Sequence, residues 1–153
     1  MDTAALSAEM LLVVNSGEEI LRCFSAEESR VPVLAGGWSC RQVIGHLIDS
    51  ASNNHQRFVR ASLQDSLEFP GYDQKGWSSV QAAEEADWSL LLTLWVNYNR
   101  YLAHVIAHLP PAKLEVPCRI GQSEPVTLKF LAEDYLRHMV HHLRQIGAAS
   151  TNE

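Results

Sequence analysis

Two histidines late in the chain, His138 and His142, have a spacing that suits metal binding. Residues four apart lie on one face of an α-helix, one turn above the other, so both imidazoles can reach a single divalent ion. A third imidazole, His46, lies in another segment with a helical pattern. Three imidazoles plus a water molecule form the ligand set of an open, catalytic type of metal site rather than a closed structural one.

The remaining histidines offer weaker alternatives. His104 and His108 form a second pair four residues apart among the seven histidines of the chain. His108 falls at a predicted helix C-terminus, where the helix dipole favours a partly protonated imidazole, so no metal is needed to explain it. We expect His104 on the surface, His141 facing solvent, and His55 packed on the apolar side of its helix.

The surroundings of the three candidate ligands leave two interpretations open. His138 and His142 lie at the edge of an apolar helix face, which suits either ligands at the mouth of a bundle or half-buried structural histidines. His46 belongs to a polar stripe, and periodicity alone favours a solvated helix face for that stripe over the lining of a pocket. The stripe consists of Gln42, His46, Asp49, Ser50, Asn53 and Arg57.

Four long amphipathic segments are predicted to position these side chains. Between them lie a long connection, residues 63–79, and a second one, residues 111–125, which can hold a short strand pair around Gly121. Ser39 and Thr127 are the predicted starts of the second and fourth helices. The predicted helices run roughly from Thr3 to Phe24, from Ser39 to Ser62, from Val80 or Ala82 to His108, and from Thr127 to Ser150.

Helices of this length bury their apolar stripes best against one another. The predicted fold is therefore all-α, a four-helix bundle that forms a single domain over residues 1–153. One core is expected to contain Leu47, Phe58, Trp95, Leu102, Leu131 and Met139.

Composition narrows the cellular setting and the partners. The formal net charge is −6, without a Lys/Arg cluster, so nucleic acid is not an expected partner. No apolar run is long enough to cross a bilayer, and the first residues lack the features of a signal peptide, so we expect a cytoplasmic protein without a membrane partner. Cys23, Cys40 and Cys118 are scattered and odd in number, and we expect reduced thiols, each packed in the interior.

Four segments together resemble the DinB-like superfamily of small helical-bundle proteins. They are Trp38-Ser39, the run 43–49 around His46, the run 53–58, and the terminal run 138–146 with its HxxxH spacing. The resemblance implies an up-down-down-up bundle with a crossover between the second and third helices. It also implies a divalent metal ion, commonly zinc or nickel, held by three histidines, which here are His46, His138 and His142.

The resemblance leaves two classes of function open. Characterised members include transferases and isomerases that use low-molecular-weight thiols such as bacillithiol or mycothiol, so the first class is a metal-dependent thiol S-transferase or hydrolase. Its partners would be a small-molecule thiol or an electrophilic substrate, with Asn53, Arg57 and Tyr135 as candidates to hold it. The second class is a non-catalytic metal-binding or stress-associated protein, with packing through bundle faces as a possible homodimer. An enzyme should place its metal site at the base of a cleft.

Overall fold

The protein is mostly helical in a computed structural model that describes residues 2–33 and 37–147. Four long helices alternate with connections that hold one short helix and three short strands. Among the residues described, no helix combines the length and the apolar character needed to cross a membrane. The elements are α1 (Thr3–Leu21), α2 (Cys40–Ser62), β1 (Leu67–Phe69), α3 (Gln74–Val80), α4 (Trp88–Ala107), β2 (Pro117–Ile120), β3 (Val126–Thr127) and α5 (Leu128–Gln145).

The four long helices pack around one apolar core. α1 packs mainly on α4, and α2 packs on both α4 and α5. This arrangement buries the apolar stripe of each helix and confirms the predicted all-α class. All six residues predicted for the core belong to it, namely Leu47, Phe58, Trp95, Leu102, Leu131 and Met139.

Polar caps determine where the helices begin. Ser39 starts α2 with a capping box, in which its hydroxyl accepts from the Gln42 amide and the Gln42 side chain accepts from the Ser39 amide. Thr127 caps α5 by accepting from the Phe130 amide. The starts predicted at Ser39 and Thr127 are therefore confirmed. α4 begins later than predicted, since Asp87 accepts from an amide of the first turn and ends the preceding loop.

The other helix ends differ slightly from the predicted ones. α1 ends at Leu21 rather than at Phe24, and α5 ends at Gln145. The predicted end at Ser150 lies outside the described residues.

The two long connections meet in a small three-stranded sheet. β2 and β3 pair antiparallel on either side of the turn at Gly121, which confirms the predicted strand pair. β1 comes from the other connection and pairs parallel with β2, so Leu67 lies opposite Cys118. Gly121 has φ +59 and its amide donates to the Phe69 carbonyl at 2.8 Å, which ties this turn to the last residue of β1. The sheet therefore joins the segments that follow α2 and precede α5.

The cysteines divide into two environments. Cys40 and Cys118 are buried, as expected for small apolar side chains. The prediction of a packed interior position is wrong for Cys23, which is exposed just beyond the end of α1. Burial raises the pKa of the Cys40 thiol to about 12, so this side chain stays protonated and inert.

Candidate metal site

Three imidazoles converge where α2 faces α5. The Nε2 atom of His138 lies 3.1 Å from the Nε2 atom of His46 and 3.1 Å from that of His142. One ligand atom from each of the three rings lies within 4.8 Å of the other two. Two nitrogens bound to one ion at 2.0–2.1 Å are about 2.9 Å apart at a right angle and about 3.4 Å apart at the tetrahedral angle. The observed separations suit neighbouring ligands of one divalent ion.

The rings have the protonation state that a metal ligand requires. Burial, followed by the proximity of the other two rings, lowers the pKa of His46 to about 3. Burial, followed by the proximity of His142, lowers the pKa of His138 to about 4. Burial also lowers the pKa of His142. All three imidazoles are therefore neutral near pH 7, with lone pairs available to a metal ion.

Contacts of the Nδ1 atoms, on the side away from the shared centre, orient the rings of His142 and His138. The Nδ1 atom of His142 lies 2.8 Å from Oε1 of Gln145, and the Nδ1 atom of His138 lies 3.5 Å from the Ser50 hydroxyl. Such contacts direct the opposite nitrogen of each ring towards the shared centre. The His46 ring packs with its centroid 5.3 Å from that of Trp38, and its buried Nδ1 has no hydrogen-bond partner in the described part of the chain.

The polar stripe of α2 is largely buried. His46 is 1% exposed, Asp49 4% and Asn53 8%. The interpretation of this stripe as a solvated helix face is therefore wrong. The chain after α3 covers it: Gln81 donates from Nε2 to Oδ1 of Asp49 at 3.0 Å, and a Cβ on Gly45 would lie only 3.1 Å from the Cβ of Ala83.

Two clefts each border one of the three histidines. His138 forms part of the wall of a cleft of about 320 Å³ between α2, α5 and the sheet. His142 borders a smaller, more apolar cleft of about 190 Å³ that also contains Trp38 and Val43. A larger groove of about 610 Å³ between α1 and α5 contains His141 but none of the three converging rings. His138 and His142 are thus each accessible from a cleft, whereas His46 is buried.

The predicted substrate residues occupy different positions. Arg57 and Tyr135 line the cleft next to His138. Asn53 is not among the lining residues, and its Nδ2 donates to the Asp49 carbonyl at 2.9 Å. Its neighbour Asn54 lines the cleft instead. The roles of Asn53, Arg57 and Tyr135 in substrate binding stay predictions.

Sequence reasoning missed several residues of this cleft. Tyr72 and Ser123 reach it from the two connections, and Asn54 reaches it from α2. Asn54 carried a usable signal, since it lies four positions after Ser50 of the predicted polar stripe and therefore on the same helix face. No local pattern marks the two residues from the connections.

The other histidines lie where the sequence predicted. His104 and His108 are exposed, and Nδ1 of His108 lies 2.8 Å from the His104 carbonyl at the end of α4. His55 is half-buried with Nδ1 3.1 Å from the Tyr98 hydroxyl. His141 is exposed on α5. None of the four belongs to the converging group of three rings.

Replacing Tyr135 by phenylalanine should destabilise the fold. The Tyr135 hydroxyl donates to Oδ1 of Asn99, and both side chains are buried. The variant leaves that oxygen unsatisfied, so the free energy of unfolding should fall by about 1–3 kcal/mol. Urea unfolding measures the loss, with exposed Tyr101→Phe as the control that should change little. Equal stability of the two variants would show that the buried bond contributes nothing.

The fold and the three histidines define a class of protein, the helical bundles in which imidazoles from two helices converge as a candidate metal site. The chain belongs to the DinB superfamily, whose family model matches residues 16–146.

Two similar Bacillus proteins are named as predicted metal-dependent hydrolases. The predicted metal-dependent hydrolase YfiT of Bacillus subtilis is 28% identical over 120 residues, which cover 78% of this chain and 67% of YfiT. A Bacillus licheniformis protein with the same predicted activity is 28% identical over 123 residues, covering 80% and 70% of the two chains. The solved structure of B. subtilis YfiT, an unusual four-helix bundle, matches with a TM-score of 0.77 at 24% identity over 92% of this chain and 83% of YfiT. That structural likeness supports the bundle fold.

Proposed function

We propose that this protein is a metal-dependent hydrolase in which His46, His138 and His142 hold one divalent ion. The observation that carries the proposal is the convergence of three neutral imidazoles, with their Nε2 atoms 3.1 Å apart in two pairs, beside an open cleft. The predicted activity of the relatives points in the same direction.

The chain supplies the ligands, their orientation and the substrate cleft. A divalent ion held there would act as a Lewis acid and lower the pKa of the water or thiol that serves as nucleophile. His138 is the central ligand, since its Nε2 is near both of the other rings. Imidazole donors suit zinc and nickel, among other first-row metals, and we propose one of these two as the native ion.

A second candidate function is transfer of a small thiol to an electrophile. The observation that favours it is the presence of two separate clefts at the triad, one bordered by His138 and one by His142. A transferase must bring two reactants to one centre, whereas a hydrolase needs space for one substrate and a water molecule. In this reading the thiol and the electrophile occupy the two clefts.

We also propose the up-down-down-up order of the four long helices. In that order α2 and α4 run parallel, so their connection must return along the whole bundle. α2 has 23 residues, which corresponds to about 35 Å at 1.5 Å per residue. Residues 63–87 contain β1 and α3 and are long enough to make that crossover.

The test compares the metal-loaded protein, the metal-stripped protein and a His46→Ala variant. Each preparation is assayed against a panel of chromogenic esters and amides, and in parallel with a chromogenic electrophile and cysteine, glutathione, bacillithiol or mycothiol. We expect hydrolysis only by the metal-loaded protein, and the hydrolysis rate of His46→Ala should be lower by about 100-fold or more. His55→Ala is the matched control, since His55 is on the same helix but outside the triad.

The outcomes separate the candidates. Metal-dependent thiol conjugation without hydrolysis would overturn the hydrolase and favour the transferase. Stoichiometric metal binding with background rates in both assays would instead indicate a non-catalytic metal-binding protein. Equal rates with and without metal would remove both enzymatic proposals.

A further inference from the structure

The cleft beside His138 contains the guanidinium of Arg57, which has no anionic partner among the described residues. Arg57 lies on α2 at the wall of this cleft, and no carboxylate of residues 2–33 or 37–147 forms an ion pair with it. Its Nε atom is buried without a hydrogen-bond partner in that part of the chain. Among the described residues its one hydrogen bond runs from Nη1 to Oδ1 of Asn54 and is long, at 3.4 Å.

The surroundings of Arg57 hold it in place without neutralising it. Its guanidinium carbon lies 5.5 Å from the centre of the Phe69 ring, a cation–π distance that orients the group. Burial lowers the pKa of Arg57, yet a guanidinium remains charged at neutral pH. A partly desolvated cation that lacks an anion is costly, and a ligand that supplies the missing negative charge would remove that cost.

The other polar groups of the cleft are compatible with a bound anion. Burial and the proximity of Asp49 raise the pKa of Tyr72 to about 12, against the opposing effect of Arg57, so its hydroxyl keeps its proton and can donate. Asp134 is the one carboxylate among the lining residues, and its Oδ1 accepts from Nη2 of Arg137 at 2.9 Å. The negative charge at the edge of the cleft is therefore already paired, while the positive charge of Arg57 is not.

We propose that the cleft binds a substrate with a terminal oxyanion, a carboxylate or a phosphate, which Arg57 receives while the reacting end lies at His138. This inference rests on the proposed metal-dependent function and adds the chemical class of its substrate. The planar guanidinium can donate two parallel hydrogen bonds to such a group, which a lysine cannot do. The cleft of about 320 Å³ limits the substrate to a small molecule.

The test uses alkyl hydroxamates of graded length, whose head group chelates a metal ion. Each length is made in three forms, with an uncharged end, a terminal carboxylate or a terminal phosphonate. Binding to the metal-loaded protein is measured by isothermal titration calorimetry. We expect one length at which an anionic end improves Kd roughly tenfold over the uncharged form, in line with a charge-assisted hydrogen bond. The preferred end then distinguishes carboxylate from phosphate substrates.

Two variants of Arg57 and one control variant test whether Arg57 causes the preference for an anionic end. Arg57→Met should abolish the preference for the anionic end and leave the affinity of the uncharged hydroxamate unchanged. Arg57→Lys, which keeps the charge, should retain part of the preference for the anionic end. This variant also keeps the inference testable if Arg57→Met does not fold. Arg60→Met removes an exposed arginine three residues further along α2 and should behave as the wild type.

The outcomes distinguish this inference from the proposed function. Failure of every hydroxamate to bind the metal-loaded protein would count against the metal-dependent site itself. Tight binding of the uncharged forms, without any preference for an anionic end, would overturn only the anion site. A preference that persists in Arg57→Met would likewise overturn it, because the anion would then bind elsewhere.

Discussion

Replacing His138 by alanine is expected to lower the affinity for a divalent ion by more than about 100-fold. Its Nε2 lies 3.1 Å from both of the other Nε2 atoms, so its loss leaves His46 and His142 without the ring that joins them. Loss of an outer partner of a metal ligand alone typically costs 10- to 100-fold, and a ligand should matter more. Metal content after dialysis against trace zinc or nickel, measured by mass spectrometry, gives the result directly.

His108→Ala is the control for this experiment. His108 is exposed and its contact is with the His104 carbonyl, so its replacement should leave one ion per chain. A second measurement is the thermal midpoint with and without metal. An ion at 100 times its Kd stabilises the folded state by about 2.7 kcal/mol, and His138→Ala should lose this gain. Full metal content in both variants would show that the three histidines are not the ligands.

Replacing Arg41 by methionine is expected to cost about 3 kcal/mol of unfolding free energy. The side chain is 3% exposed and donates to Oγ of Ser29, the Ala26 carbonyl and the Ala86 carbonyl. It thereby ties the first turn of α2 to the segments after α1 and before α4. A hydrogen bond to a charged group contributes about 1.5–3 kcal/mol, and removal of the buried charge relieves a desolvation cost that offsets part of the sum over the three bonds.

Thermal unfolding of Arg41→Met measures this loss, with an expected fall in Tm of roughly 10 °C for a chain of this size. Arg60→Met is the matched control on the same helix, because Arg60 is exposed and donates to Oε1 of Gln56 at the surface. A Tm of Arg41→Met within the range of the control would mean that the three acceptors find other partners.

Local pattern was sufficient to predict the four long helices and the helix face that His138 and His142 share. The i, i+4 spacing of His138 and His142 determines a shared helix face, and helix periodicity identified the core residues. The capping residues Ser39 and Thr127 were also visible, since a polar cap is satisfied within the next three residues.

Long-range contacts could not be predicted in the same way. The stripe around Asp49 was expected to face solvent, because periodicity does not show which loop folds over a polar face. Gln81 covers Asp49 from 32 residues away, and α3, with seven residues, is too short to leave a periodic signal. β1, with three residues, pairs with a strand from another connection, which no pattern in either segment indicates. The difference is smallest for the substrate candidate Asn53. The cleft is lined instead by Asn54, which is one position and about 100° further around the helix.

The wide separation of the proposed metal ligands along the chain has a consequence for the order of folding. His46 and His138 are 92 positions apart, so a nascent chain carries only one of the three histidines until α5 has been synthesised. Because chains are made from the N-terminus, α1, α2 and α4 can collapse together before the three rings can meet. Capture of a metal ion by the proposed site would therefore be a late event of synthesis.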